Sequence, residues 1–453
     1  MTRKRLRLRF STTQVIMLSF LAAILLGTLL LMLPISSQKM EWTSFADALF
    51  TSTTSVCVTG LVVVPTVSWS IFGQIVILLL IQIGGLGVIT VLSGITVFLH
   101  RRMGLSDRIL LQDAFNLNTL SGLTTFVRRV IVGTLAVEGV GALLYMTVFI
   151  PDFGARGVWI SVFNAVSAFC NAGMDVFSEN SLCDYATHPV INAVTSALII
   201  LGGLGYVVWW DVLRVMREAK KTRGRLLSRL TLHSKIVLAS TVLLLLIGTA
   251  MIFLFERNNP QTIGEMPLGD QLTVSFFQSV TARTAGFITV PQEHLTTPTV
   301  AVMILLMFIG GSPVGTAGGV KTVTFAILMA AALSAMRNRR EVVLFHRNIS
   351  EEAVRKSIAV ASASFLILFC STVALSWVTD ASLADVLYET ASATATVGVS
   401  RNLTPTLGTV GKYLVAATMY LGRVGPISLA IAFGIQKEHQ DIIHHPTEEV
   451  RVG

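Results

Sequence analysis

Eight mostly apolar stretches, near 12–33, 71–99, 127–150, 190–213, 234–255, 298–336, 357–379 and 408–435, alternate along the chain with shorter polar segments. Each reaches or exceeds the length, about 20 residues, that a helix needs to cross the hydrocarbon core of a bilayer. The pattern therefore predicts eight transmembrane helices. Between each odd span and the even span after it lies a Ser- and Thr-rich segment too short to cross. Non-helical backbone at membrane depth is tolerated only where it lines protein or a watery cavity. These four segments are accordingly expected to be re-entrant pore loops.

The four segments are versions of one another. They read FTSTTSVCVTG over 50–60, FNAVSAFCNAG over 163–173, FFQSVTARTAG over 276–286 and YETASATATVG over 388–398. Their last residues, Gly60, Gly173, Gly286 and Gly398, stand at intervals of 113, 113 and 112, each with an aromatic residue ten positions earlier. A repeat that keeps both its period and its internal spacing organises the whole chain. The repeats are placed at 1–100, 101–219, 220–340 and 341–453, the last including a polar C-terminal tail. The expected fold is an all-α polytopic membrane protein with four pseudo-fourfold repeats of helix, re-entrant pore loop and helix around a central pore.

Composition agrees with this reading. Only 13% of the 453 residues are charged and 53% are hydrophobic, whereas a soluble domain carries about 25% charged residues. The net charge of +9 would suit nucleic acid, but the basic residues concentrate in loops after even spans. These are Arg101, Arg102 and Arg108; Lys220, Lys221, Arg223, Arg225 and Arg229; and Arg337, Arg339, Arg340 and Arg347. The positive-inside rule accounts for them and places these loops and both termini in the cytoplasm, so no nucleic-acid partner is expected. The basic residues 1–10 precede an apolar run without a small-residue cleavage pattern, which reads as a retained first helix and not a signal peptide.

Enzyme chemistry finds no foothold. The sequence has no paired-carboxylate site, His cluster, nucleophile motif or metal-ligand spacing, and His444-His445 reads as a solvated tail. Two of the four cysteines, Cys57 and Cys170, hold equivalent places three residues before the repeat glycine, so they form no disulfide framework.

A cation crossing hydrocarbon must have its hydration shell replaced, and rings of backbone carbonyls do this. Glycine lets an extended strand approach the ion without side chains. The predicted potassium filter therefore comprises Gly60, Gly173, Gly286 and Gly398, with Thr59, Ala172, Ala285 and Val397 before them and Val58, Asn171, Thr284 and Thr396 one position further back. The preceding stretches suit short helices whose carboxyl ends direct partial negative charge at the ion. Small residues also permit close helix packing, which would explain one such segment but not four in register.

A second glycine signal follows each filter: Gly84-Gly-Leu-Gly87, Gly202-Gly-Leu-Gly205, Gly310-Gly-Ser-Pro313 and Gly422-Arg-Val-Gly425. Lacking a strand-turn-helix context, these are read as packing or kink sites and not dinucleotide fingerprints. In the third repeat the signal extends to Lys321 and must break the helix. Gly310, Gly311, Gly315, Gly318, Gly319 and Lys321 are expected to form an intramembrane gate beneath the filter, with Lys321 repelling cations. Arg423, an ionisable residue in a span, either takes part in gating or pairs with a carboxylate or loop carbonyl to hold repeats together; one contact could do both. Arg283 is expected to point behind the filter and brace it. Asp175 either attracts cations at the mouth or is a structural carboxylate, and Glu389 is expected to be a hydrogen-bonded structural one.

These residues, namely Thr59-Gly-Leu61, Asn171-Ala-Gly173, Arg283-Thr-Ala-Gly-Phe287, Thr396-Val-Gly398, Val320-Lys321 and Gly422-Arg-Val-Gly-Pro426, resemble the Ktr/Trk/HKT superfamily of potassium transporters. With one span before the first filter segment, the chain is most similar to the Ktr-type membrane subunit. The resemblance implies a homodimer in the lipid bilayer, one pore per protomer, docked on a cytoplasmic nucleotide-binding RCK (KtrA-like) regulatory ring. It also implies K+ as the transported ion, no organic cofactor, Arg423 facing the gate, and a location in the plasma (inner) membrane. Asp175 departs from the uncharged residue the family more often has there. A sodium-selective or sodium-coupled transporter is the nearest alternative, although sodium forms tend to have serine at the first filter glycine, so Gly60 argues for potassium. A non-conducting membrane anchor for a signalling ring is the alternative from another class.

Overall fold

The computed structural model describes residues 11–98, 109–112, 122–219 and 226–425. The basic residues 1–10, Arg101, Arg102, Arg108, Lys220, Lys221, Arg223 and Arg225, and the tail from Pro426 onward lie outside the described residues.

The first quarter contains α1 (Thr12–Met32), α2 (Phe45–Cys57), α3 (Ile71–Leu86) and α4 (Val88–Phe98). The second contains α5 (Leu123–Phe153), α6 (Arg156–Cys170), α7 (Pro189–Leu204) and α8 (Tyr206–Ala219). The third has α9 (Leu232–Glu256), α10 (Leu268–Thr281), α11 (Thr297–Phe308) and α12 (Thr322–Met336). The fourth has α13 (Glu351–Val378), α14 (Leu383–Ala395) and α15 (Thr409–Val424). A small antiparallel hairpin, β1 (Val343–Leu344) with β2 (Arg347–Asn348), joins the last two quarters.

The first three quarters thus each have a long helix, a short helix and a second, interrupted helix, and the described part of the fourth has a long helix, a short helix and α15. The long helices α1, α9 and α13 begin at Ser11, Thr231 and Ser350, whose hydroxyls accept the backbone N–H three residues on and so satisfy one orphan donor. The short helices lie inside. Thr51 to Ser55 of α2 are all buried, whereas Leu25, Leu26 and Leu29 of α1 and Trp377 of α13 are exposed. Polar residues within and apolar residues without is the arrangement expected where the surroundings are lipid and helices associate through small and hydroxyl residues. Hydroxyl contacts join short helix to long helix: Ser52 Oγ donates to Ile24 O (2.7 Å), Ser279 Oγ to Leu245 O (3.1 Å), and Thr390 Oγ1 lies 2.8 Å from Thr372 Oγ1.

The eight continuous spans require correction. Among the described residues four helices, α1, α5, α9 and α13, are long and apolar enough to cross a membrane unbroken, or up to six if each bent pair is one span. The chain bends by 97° between α3 and α4 and by 98° between α7 and α8, while residues 309–321 separate α11 from α12. The bends fall at Gly87 (φ 83°, ψ 132°) and Gly205 (φ 86°, ψ 142°), and Gly425 (φ 87°, ψ 143°) ends α15 in the same conformation. Only glycine adopts this backbone without strain. Hydropathy runs straight through the bends because Gly-Gly-Leu-Gly is itself apolar.

The first glycine of the first, second and fourth motifs has a separate packing duty. A Cβ on Gly84, Gly202 or Gly422 would overlap the carbonyl oxygen of Val56, Phe169 or Thr394 respectively. Each of these carbonyls lies four residues before its filter glycine, so the second helix presses on the carboxyl end of the short helix.

Candidate functional site

All four segments pass through the same two positive-φ positions, although α10 ends at Thr281, two residues earlier relative to its glycine than the other three short helices. Val58 (φ 54°), Asn171 (φ 61°), Thr284 (φ 69°) and Thr396 (φ 53°) are left-handed, and two residues later Gly60 (φ 100°), Gly173 (φ 65°), Gly286 (φ 82°) and Gly398 (φ 101°) again have positive φ. A β-branched residue in this region is an outlier that surrounding bonds must hold. The backbone N–H groups of Thr59, Ala172 and Val397 donate to Thr54 O, Ser167 O and Ser392 O, all at 2.8 Å, and Ala285 N–H donates to Thr281 O at 3.0 Å. Hydroxyls from the Ser/Thr runs clamp the strand beyond. Thr54 Oγ1 accepts from Gly60 N (2.9 Å), Ser167 Oγ from Met174 N (3.0 Å) and Ser392 Oγ from Gly398 N (3.0 Å), while Thr281 Oγ1 donates to Phe287 O (2.5 Å).

The four glycines form a closed ring in chain order. A Cβ on Gly173 would lie 2.6 Å from Ala285 O, and one on Gly286 would lie 2.8 Å from Val397 O. On Gly60 and Gly398 it would overlap Ala172 O and Thr59 O. Each glycine therefore meets the carbonyl preceding the next glycine, and the fourth returns to the first. The hydroxyls of Thr59 and Thr396 and the amide of Asn171 are buried without a hydrogen-bond partner among the described residues.

Cavities lie to either side of the ring. One of about 550 Å³ is lined by all four glycines together with Asp175, Glu179, Glu293 and Ser400. Asp175 sits in the loop after α6, outside the membrane-spanning helices; burial pushes its carboxyl up to about 7, although the Ser178 N–H and other donors pull the other way. The second cavity, of about 360 Å³, is lined by Gly84 to Val88, Thr394, Gly315, Lys321 and Arg423.

Between ring and second cavity runs the loop 309–321, anchored to the second, third and fourth quarters. Ser312 N–H and Thr316 N–H donate to Gly203 O (2.9 Å) and Gly202 O (3.2 Å), and Tyr206 N–H donates to Val314 O (3.1 Å). Thr316 Oγ1 donates to Phe169 O (3.1 Å) and Gly318 N–H to Thr284 Oγ1 (3.2 Å). Gly318 packs so closely on Thr396 Oγ1 that no side chain fits, and Gly310 packs likewise on Gly318 O. Arg423 donates from Nη1 to Thr316 O (2.7 Å) and from Nη2 to Gly84 O (2.6 Å), joining the fourth quarter to the third and first. Lys321 Nζ turns back onto Ala317 O of its own loop (2.6 Å). Gly311, Gly315 and Gly319 complete the loop: a Cβ on Gly315 would lie 2.9 Å from Gly202 O, and Gly319 has φ 67°.

The remaining candidates are braces. Arg283 is buried and its Nη2 reaches Thr241 Oγ1 on α9 (3.4 Å), behind the ring. Glu389 is wholly buried and accepts from Ser400 Oγ (2.6 Å) and Thr404 Oγ1 (2.5 Å). Lys412 and Arg401 pair with Asp47 (2.6 Å) and Asp385 (2.9 Å) in the first turns of α2 and α14.

One buried group was not singled out from the sequence. Glu138, inside α5, accepts from Gln82 Nε2 (3.2 Å) and from the Cys170 thiol (3.8 Å), directly behind Asn171. An ionisable residue within a span was the available signal. The bracing chain from Tyr388 OH to Gln292 Oε1 (2.8 Å), and from Gln292 Nε2 to Gln278 Oε1 (3.2 Å), carried no sequence signal.

Comparison with known proteins follows the same lines. The family model TrkH, described as cation transport protein, matches residues 2–445. Similar proteins include Ktr system potassium uptake protein B of Bacillus subtilis (strain 168), 37% identical over 98% of this chain and 97% of that protein. Another is Potassium/sodium uptake protein NtpJ of Enterococcus hirae, 36% identical over 100% of this chain and 99% of that one. The crystal structure of the potassium transporter TrkH from Vibrio parahaemolyticus superposes with a TM-score of 0.73, covering 95% of this chain and 86% of the other at 14% identity, which shows a shared fold.

Proposed function

Because this chain belongs to the TrkH family of cation transport proteins, we propose that it is the ion-translocating membrane subunit of a potassium uptake system. The observation that carries the proposal is the closed ring of Gly60, Gly173, Gly286 and Gly398 with carbonyls between neighbours. Those carbonyls replace the hydration shell of a potassium ion. The carboxyl ends of α2, α6, α10 and α14 add partial negative charge beside it. One glycine per quarter gives fewer stacked carbonyl rings than a longer filter, hence looser discrimination between potassium and sodium.

In this reading each quarter is a helix, a re-entrant loop and a broken helix, and the four surround one pore. The bent pairs each count as one crossing, with α8 turned along the membrane after α7, as do α11 with α12 and α15; with α1, α5, α9 and α13 these give eight spans, and the quarters take the boundaries 1–100, 101–219, 220–340 and 341–453. The basic loops face the cytoplasm, so the cavity with Asp175 is the outer mouth and the one with Arg423 the inner. Potassium enters down the membrane potential, about 2.3 kcal/mol per charge per 100 mV. The loop from Gly310 to Lys321 closes the path below the ring and opens under control of a cytoplasmic RCK ring bound to a homodimer. A sodium-coupled variant is the second reading, favoured by the likeness to a protein named for both ions.

Ion flux into proteoliposomes tests the proposal. Flux of K+ over Na+ that loses its preference in Gly60→Ser supports the filter. No flux for either cation, even after deletion of Gly310 to Gly319, would replace it with a non-conducting membrane anchor.

A further inference from the structure

We propose that α8 is an in-plane membrane anchor whose basic edge, together with Arg129 of α5, binds the phosphate headgroup of an anionic phospholipid in the cytoplasmic leaflet. The proposal rests on the orientation given above, in which the basic loops face inward.

The bend at Gly205 turns α8 by 98° from the apolar helix α7. A helix turned so sharply from the bilayer-crossing direction of α7 runs close to the membrane plane. Its residues separate into three stripes at helical spacing. Val208, Asp211 and Val215 are buried against the protein. Half-buried Trp209 leads into Leu213 and Met216, which are 39% and 55% exposed. Trp210, Arg214 and Arg217 form the third stripe, in which both arginines are exposed. An apolar stripe beside a basic one is the signature of a helix resting at the boundary of acyl chains and headgroups.

The basic stripe is preassembled with α5. The Arg129 guanidinium lies 5.7 Å from the centroid of the Trp210 ring, and an added Cβ at Gly133, one turn further along α5, would touch both Trp209 and Trp210. The Trp210 Nε1 hydrogen has no acceptor among the described residues. Asp211 accepts from Arg214 (2.6 Å) but also from Thr231 N and Oγ1 (both 2.9 Å), so its carboxylate serves to hold the start of α9. The Arg214 side chain remains 53% exposed. Arg128, also exposed, adds to the positive field, against which α8 sets Asp211 and Glu218. A docking surface for a cytoplasmic protein would explain the arginines but not Leu213 and Met216 laid alongside them at the level of the bilayer.

Native mass spectrometry of the full-length chain, titrated with phosphatidylglycerol or phosphatidylcholine, tests this without reference to flux, so a failure of transport leaves the result readable. Each arginine near an anionic surface is worth about fivefold in binding. The native protein is expected to prefer phosphatidylglycerol by tenfold or more for its first bound lipid. Arg129→Gln/Arg214→Gln/Arg217→Gln should abolish most of that preference, and the corresponding triple Lys variant should retain it. If the triple Gln variant does not fold, Arg217→Gln alone, at an exposed position, should lower the preference about fivefold. An unchanged preference in the Gln variants overturns the proposal, as does loss of binding to a cytoplasmic protein with lipid preference intact.

Discussion

Replacing Arg423 with Gln should raise the resting flux of the chain. Arg423 makes two charge-assisted hydrogen bonds, to Thr316 O at 2.7 Å and Gly84 O at 2.6 Å. Only the first is to the loop 309–321, so only that bond must break when the loop moves away. A hydrogen bond to a charged group contributes about 1.5–3 kcal/mol net; taking about 2 kcal/mol as lost on opening, its removal shifts the closed–open equilibrium roughly 30-fold. The other loop bonds, among them Thr316 Oγ1 to Phe169 O and Gly318 N to Thr284 Oγ1, remain, so the loop stays folded while closing less often. The assay is initial-rate uptake of Rb+ into proteoliposomes at fixed protein content, with monodispersity and thermal midpoint compared beside it. Thr316→Val, which removes only the neutral bond, should raise flux by a smaller factor, about twofold to thirteenfold for about 0.5–1.5 kcal/mol. A well-folded Arg423→Gln protein with flux equal to or below the native rate would refute the assignment of this arginine to the closed state.

Other expectations follow from the same geometry. Gly60→Ser places a side chain against Ala172 O at φ 100° and should reduce the Rb+/Na+ flux ratio by about tenfold, since it displaces one carbonyl of the ring. Gly202→Ala drives a Cβ into Phe169 O and should destabilise the protein by about 1–3 kcal/mol, seen as a lower thermal midpoint in detergent. Asp175, whose carboxyl is pushed up to about 7, is neutral below that pH and charged above it. Uptake should therefore rise through neutrality by about threefold, the effect of one unit charge at about 6 Å in water. Asp175→Asn should flatten the pH profile between 6 and 8; a native-like rise in that variant would remove Asp175 from the outer mouth.

The parts of this structure that were legible in the sequence are those for which chemistry leaves one residue type. At Gly60, Gly173, Gly286 and Gly398 any Cβ meets a neighbouring carbonyl, so the requirement is written as glycine and its spacing is visible. The break between Gly310 and Lys321 was visible because five glycines and a proline interrupt an apolar run. The bends at Gly87 and Gly205 were legible as kink sites but not as turns of nearly a right angle, because hydropathy measures composition and not direction. Arg423 and Lys321 were marked as ionisable residues in spans, yet their partners are the carbonyls of Thr316, Gly84 and Ala317. A carbonyl belongs to every residue, so no pattern of side chains announces which one will be met. Glu138 escaped for a different reason: its partners Gln82 and Cys170 lie on other helices and share no periodicity with it.

The ring of glycine-to-carbonyl contacts is built from four stretches of one polypeptide that differ from each other at nearly every other position. In an assembly of four identical chains a codon change alters all the ligands of an ion at once. Here it alters one, leaving three in place, as at Asn171 where the equivalent positions hold Val58, Thr284 and Thr396. The preference between two alkali ions can then be adjusted by quarters, and intermediate degrees of discrimination are open to a lineage of such proteins without passing through a form that conducts nothing.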